Sequence, residues 1–131
     1  MKEKLSLIIA IIILVVPVVL YTAFKTPTNE GVLEAANGKP IVMEFSSPLC
    51  AECQRLKKVL DVVEPKYSRK ITFQKINTAT MDSQVVSQIQ KYEVRVVPTT
   101  IFIDKKGEIV AKKEGSMPEE NLTAYLDELL K

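Results

Sequence analysis

The chain has 131 residues, 47% hydrophobic and 26% charged, the composition of one globular domain plus an appendage. Of its 18 basic and 16 acidic residues, three basic and one acidic lie within residues 1–25, which leaves 15 of each beyond them. A neutral domain without a basic, aromatic-interleaved stretch argues against nucleic acid as a partner, and the complete lack of histidine removes the commonest metal ligand and general base.

Residues 5–24 are a twenty-residue run without a charge, dominated by Ile, Val and Leu. At about 1.5 Å per residue, a helix of that length reaches about 30 Å, the thickness of a bilayer's hydrocarbon core. Pro17 would kink such a helix, which membrane helices accept. A cleaved secretory signal is the alternative, given the basic start at Lys2 and Lys4. The run is long for a signal, however, and Tyr21-Thr22-Ala23 lacks the small residue expected at the first position of a cleavage site. An uncleaved N-terminal transmembrane helix within residues 1–25, lying in the lipid bilayer, is therefore expected. Two lysines precede the run and only Lys25 follows it closely. The positive-inside rule then puts the N-terminus in the cytoplasm and the rest on the extracytoplasmic side of a cytoplasmic membrane, or in a lumen.

Residues 26–31 read as a juxtamembrane linker, because Pro27 and small polar residues offer nothing to bury. The remaining domain, residues 32–131, opens with the end of a brief helical pattern over 30–37, stopped by Asn37-Gly38. Ile41-Val42-Met43-Glu44-Phe45 is an apolar strand interrupted by one carboxylate, and Ser46-Ser47-Pro48 breaks it. Helical spacing starts near Ala51, with Leu56, Val59, Leu60 and Val63 on one stripe and Pro65 marking an end or a kink. Ile71, Phe73 and Lys75 alternate along one face of a second strand. A helix is expected over 82–92, with Val85, Val86, Ile89 and Tyr92 inward. A strand over 99–103, a turn at 104–107 and a strand over 108–112 follow. Pro118 then opens a final helix carrying Leu122, Tyr125, Leu126, Leu129 and Leu130. The order β-α-β-α-β-β-α predicts parallel strands covered by helices, with an antiparallel edge from the closing hairpin.

The only two cysteines, Cys50 and Cys53, fall where the first strand gives way to a helix. A helix N-terminus offers unpaired N–H groups and positive dipole, both of which favour thiolate. A closed zinc site takes four protein ligands, so this pair supplies half of one at most. Two thiols close enough to bridge point to disulfide chemistry.

Cys50-Ala51-Glu52-Cys53 after a strand holding Glu44, a strand with Lys75, the segment Tyr92-Glu93-Val94-Arg95-Val96-Val97-Pro98-Thr99, a hairpin and Gly115 together resemble the thioredoxin family over nearly the whole soluble part. The resemblance implies an α/β thioredoxin fold, a central mixed sheet flanked by helices, and a protein-disulfide reductase. It makes Cys50 the attacking cysteine and Cys53 the resolving one. Glu44 stands for a buried acid beneath the pair, accompanied by Lys75. Pro98 matches a cis-proline facing the disulfide, Val97 offers backbone to an extended substrate, and Gly115 lets that substrate approach closely. Leu49 replaces the tryptophan usual before the first cysteine, and Ala51-Glu52 replaces the usual Gly-Pro, so the substrate-facing surface differs. The chain looks more like membrane-tethered members of the family that handle thiols outside the cytoplasm.

On this basis the expected partners are a disulfide-bearing protein and a membrane reductase that passes electrons across the bilayer, since one apolar span without a second cysteine pair cannot carry them. No cofactor and no metal beyond the Cys50–Cys53 dithiol is expected, and a single anchor permits a monomer. Glu52 in the first helical turn works against a thiolate at Cys50, which favours a reducing couple. An oxidase or isomerase, a soft-metal module that holds Cu(I) on the same cysteines, and an idle adaptor are the alternatives.

Overall fold

The computed structural model describes residues 1–24 and 38–131, with the side chains of residue 10 and residues 20–24 left aside. The chain divides into two compact units, Met1–Glu30 and Gly31–Lys131. The expected linker at 26–31 and the whole of the expected helix at 30–37 lie outside the described residues.

In the first unit, helix α1 spans Lys2–Phe24 with Pro17 inside it. Its described apolar side chains, among them Leu7, Ile11, Leu14 and Val18, are all exposed, so the helix is apolar all round rather than on one stripe. Among the described residues no helix is long and apolar enough to cross a membrane, so the transmembrane helix expected within residues 1–25 is not shown by the structure.

The second unit carries β1 (Ile41–Ser46), α2 (Ala51–Tyr67), β2 (Thr72–Asn77), α3 (Ser83–Lys91), β3 (Thr99–Ile103), β4 (Ile109–Glu114) and α4 (Glu119–Leu129). The strands form one sheet in the order β2-β1-β3-β4. β1 pairs in parallel with β2 and antiparallel with β3, and β3 pairs antiparallel with β4. Antiparallel pairing thus extends beyond the closing hairpin: the connection from β2 through α3 brings β3 into the sheet from the opposite direction. Pro65 neither ends nor displaces α2, which runs on to Tyr67.

Alternation along β1 separates two cores. Val42 joins Leu56, Leu60 and Val63 of α2, Phe102 of β3, and Leu122, Leu126 and Leu129 of α4. Ile41, Met43 and Phe45 face the other way, toward Val85 of α3 and Tyr92. Helices α2 and α4 therefore cover one face of the sheet and α3 the other, which is why β1 and β3 are buried along almost their whole length. The apolar stripes read from the sequence on α2 and α4 pack into the first core, with Val59, Tyr125 and Leu130 at its margins. Of the stripe read on α3, Val85 and Tyr92 pack into the second core and Ile89 lies at its margin, whereas Val86 is only half-buried and joins neither core.

Asp82 caps the N-terminus of α3, its side chain accepting from the Val85 N–H at 2.9 Å. The other end is held from β4. The Lys112 ammonium donates to the carbonyls of Tyr92 and Glu93 at 3.0 and 2.8 Å, placing a cation on the negative end of the helix dipole. Glu93 itself adopts a left-handed φ of 50°. We expect Lys112→Met to lower stability by about 1 kcal/mol, and Lys112→Arg to recover part of the loss. The midpoint of urea unfolding checks this, and an unchanged midpoint in the Met variant would show that the cap contributes nothing.

Candidate active site

β1 ends at Ser46 and the chain turns through Ser47 and Pro48, so Cys50 arrives as the N-cap of α2, with extended backbone at φ −96° and ψ 120°. Its Sγ accepts from the Cys53 N–H at 3.1 Å, taking the capping place usually held by a Ser or Asp oxygen. One helical turn brings Cys53 back beneath Cys50, and the two form a disulfide with Cα atoms 5.1 Å apart. Cys50 is half-buried, whereas Cys53 is only 2% exposed. The outer sulfur is the one a partner can reach.

The segment before β3 closes over this pair. Val97 and Pro98 are joined by a cis peptide bond, and the Val97 carbonyl oxygen lies 3.6 Å from Cys50 Sγ. Gly115 adds a third wall: its N–H donates to the Pro98 carbonyl at 2.8 Å. Its φ of +85° is what calls for glycine, because a Cβ there would meet nothing within 4 Å. Close approach by the rest of the chain is not the reason. Leu49, immediately before Cys50, is 94% exposed and leaves a bare apolar side chain beside the disulfide.

Glu52 lies between the cysteines and is tied down on two sides. It accepts from the Ser116 hydroxyl, next to Gly115, and pairs with Arg55 one turn along α2. Sequence patterning missed Ser116, because a lone serine in a loop carries no periodic signal. The Arg55 pairing follows an ordinary i, i+3 spacing and was readable.

Glu44 is the buried charge beneath the site, 4% exposed. It shares the face of β1 that carries Val42, toward α2, and lines a cleft of about 240 Å³ together with Ser46, Cys53, Lys57, Lys75 and Asn77. That volume holds several waters. Burial pushes the Glu44 carboxyl above the ordinary carboxylate range; the charge of Lys75 and a hydrogen bond with Ser46 pull the other way without cancelling it. Lys75 sits opposite Glu44 in the β1–β2 register, yet its ammonium pairs with Glu64 at 2.7 Å and lies 3.9 Å from Asp61. On the other side of Glu44 stands Thr100, whose fully buried hydroxyl lacks a hydrogen-bond partner among the described residues. Among those residues no group of three or more His, Cys, Asp or Glu comes together as a metal-binding set.

The structure thus brings Cys50, Val97 and Gly115 together, with Cys53 and Pro98 buried behind them, Leu49 exposed beside Cys50, and Glu44 and Lys75 lining the cleft next to Cys53. Glu64 escaped the sequence reading, since an acidic residue on the polar side of a helix has the pattern of simple solvation.

A carboxyl group whose folded pKa is raised contributes stability that is fully present below its unfolded pKa and is lost as pH rises through the folded value. Glu44→Gln removes that loss. We expect the variant to match the parent protein near pH 4 and to be the more stable of the two above neutrality, as read by urea unfolding across pH. Equal pH dependence in the two proteins would show that Glu44 is ionised at no cost.

Residues 33–130 match the family described as thioredoxin-like domain. The chain is 33% identical over 91 residues to thioredoxin 1 of Nostoc sp., covering 70% of this chain and 80% of that one. It is 24% identical over 135 residues to the thiol:disulfide interchange protein TxlA homolog of Synechocystis sp., covering 91% of this chain and 74% of that protein. Among solved structures, the germline-specific thioredoxin Deadhead of Drosophila melanogaster superposes with a TM-score of 0.62 at 28% identity, over 73% of this chain and 86% of the other. With its cysteine pair at the head of α2 and this fold around it, the chain belongs to the thioredoxin-like domain family and is a thiol–disulfide oxidoreductase of that family.

Proposed function

We propose that the protein is a membrane-tethered protein-disulfide reductase acting on the extracytoplasmic side of the membrane. The observation that carries the exchange chemistry is the Cys50–Cys53 pair at the N-terminus of α2, one sulfur accessible and the other above a buried carboxyl.

Cys50 as thiolate attacks a substrate disulfide, forming a mixed disulfide and releasing one substrate thiolate. Cys53 then attacks Cys50 Sγ, which restores the Cys50–Cys53 bond and releases the second substrate thiolate. Two electrons pass to the substrate. Cys53 is buried and resists ionisation, and Glu44 takes its proton, directly or through a water in the cleft. The Val97 carbonyl and the Gly115 loop bound the space into which an extended substrate segment fits. The Cys50–Cys53 dithiol carries the two electrons. Its regeneration calls for a membrane reductase that delivers two electrons per turnover.

Tethering is supported by the uncharged run 5–24, by its helical backbone and by the exposure of its described apolar side chains on every side. The alignment with the Synechocystis interchange protein, at 91% of the chain, reaches beyond the domain at 33–130. The lysines before the run favour an N-terminus in the cytoplasm.

Trapping tests this function. Full-length Cys53→Ser, expressed in its native membrane, is expected to hold a discrete protein on Cys50 that reductant releases and that Cys50→Ser does not capture. No adduct from folded, membrane-inserted protein would overturn the reading. The direction of exchange has its own measurement. With Glu52 held in the first turn of α2, the couple is expected near thioredoxin's roughly −270 mV, and a value above about −180 mV would make the protein an oxidant or isomerase instead.

A further inference from the structure

Lys75 and Glu64 take no part in the exchange steps, yet they form an ion pair and both charges act on Glu44. Lys75 lies beside Glu44 in the β1–β2 register, and adjacent strands are about 4.8 Å apart, well within the reach of a lysine side chain. Its ammonium nevertheless turns to α2, 2.7 Å from Glu64 Oε2 and 3.9 Å from Asp61 Oδ1. Glu64 is only partly exposed, so this pair is shielded better than one in open solvent.

We propose that Glu64 is a positioning residue for the exchange reaction: by holding the Lys75 ammonium against α2, it withholds from Glu44 the close ion pair that would fix Glu44 as a weakly basic carboxylate. The inference rests on the exchange function above and adds a residue to it.

The surroundings of Glu44 can be taken element by element. From β2 comes Lys75, which pulls the carboxyl down; from α2 come Glu64, which pushes it up, and Lys57, which pulls it down; from β1 itself comes the Ser46 hydrogen bond. The β3 neighbour in register is the uncharged Thr100. Asp61 acts on Lys75, whose own pKa is raised chiefly by its hydrogen bond with Glu64. Without the Glu64 charge, both of its effects disappear together: its direct push on Glu44, and its grip on Lys75. An opposite charge within about 4–6 Å lowers a carboxyl pKa by about 1–3 units, and a base of lower pKa accepts the Cys53 proton less readily.

The test uses the reduced full chain in detergent and one equivalent of a nitrobenzoate disulfide whose released thiolate is coloured. The first release reports attack by Cys50, the second attack by Cys53. Glu64→Gln is expected to move the acid limb of the second rate toward lower pH by about one unit. It should slow that step about two- to threefold at neutral pH and leave the first release as it was. Glu64→Asp should restore most of the parent profile, and in a Lys75→Met background Glu64→Gln should lose most of its effect. An unmoved acid limb in Glu64→Gln, or a shift undiminished in the Lys75→Met background, overturns the inference. A parent protein that never releases the second thiolate overturns the exchange function itself, and does so before any substitution is made.

Discussion

Everything in the redox unit hangs on the register of β1. This strand is hydrogen-bonded on both edges and packed on both faces, and successive side chains alternate between two cores. A slip of one residue against β2 and β3 would send Val42 and Glu44 toward α3 and push Met43 and Phe45 under α2. It would also move the strand end at Ser46, from which the chain turns to deliver Cys50 to the head of α2. Placement of the carboxyl beneath the cysteines and placement of the cysteines themselves are therefore one constraint. The apolar side chains on either side of Glu44 enforce it, and a buried, partly desolvated acid is the cost.

What the sequence revealed and what it concealed divide along a physical line. The helix stripes Leu56–Leu60–Val63 and Leu122–Leu126–Leu129 were legible because burial imposes a period on the chain. The cysteine pair and Pro98 were legible because they occur at fixed intervals within a recognisable order of elements. The orientation of β3 was not. Element order says which strands follow one another but leaves the direction of entry to the β2–α3–β3 connection, whose path depends on tertiary packing. The Ser116–Glu52 contact was hidden for a related reason, joining residues 64 positions apart through a loop without periodicity.

Glu44 and Lys75 show how a correct pairing can still mislead about energetics. Adjacent strands set them side by side, as an acid–lysine pair is expected to be, but the ammonium finds a better-exposed partner on α2. Lys75 thus acts on Glu44 through its charge rather than through an ion pair, and burial keeps the upper hand in setting the carboxyl's proton affinity. The paired charges of Lys75 and Glu64 stay partly exposed to water, while the Glu44 carboxyl is buried where α2 covers the sheet, at the inner end of the cleft.

Leu49 carries a thermodynamic consequence of a different kind. An almost fully solvated leucine beside a reactive sulfur is unrealised apolar burial, worth about 1.5–3 kcal/mol once water is displaced from it. Any surface that covers it while meeting Cys50 recovers part of that free energy, up to about a hundredfold in encounter affinity. The gain lasts only while the two surfaces stay together. Unlike the covalent link between them, it does not depend on the redox state of either partner, so it prolongs the encounter before the first bond forms and again after the last one breaks.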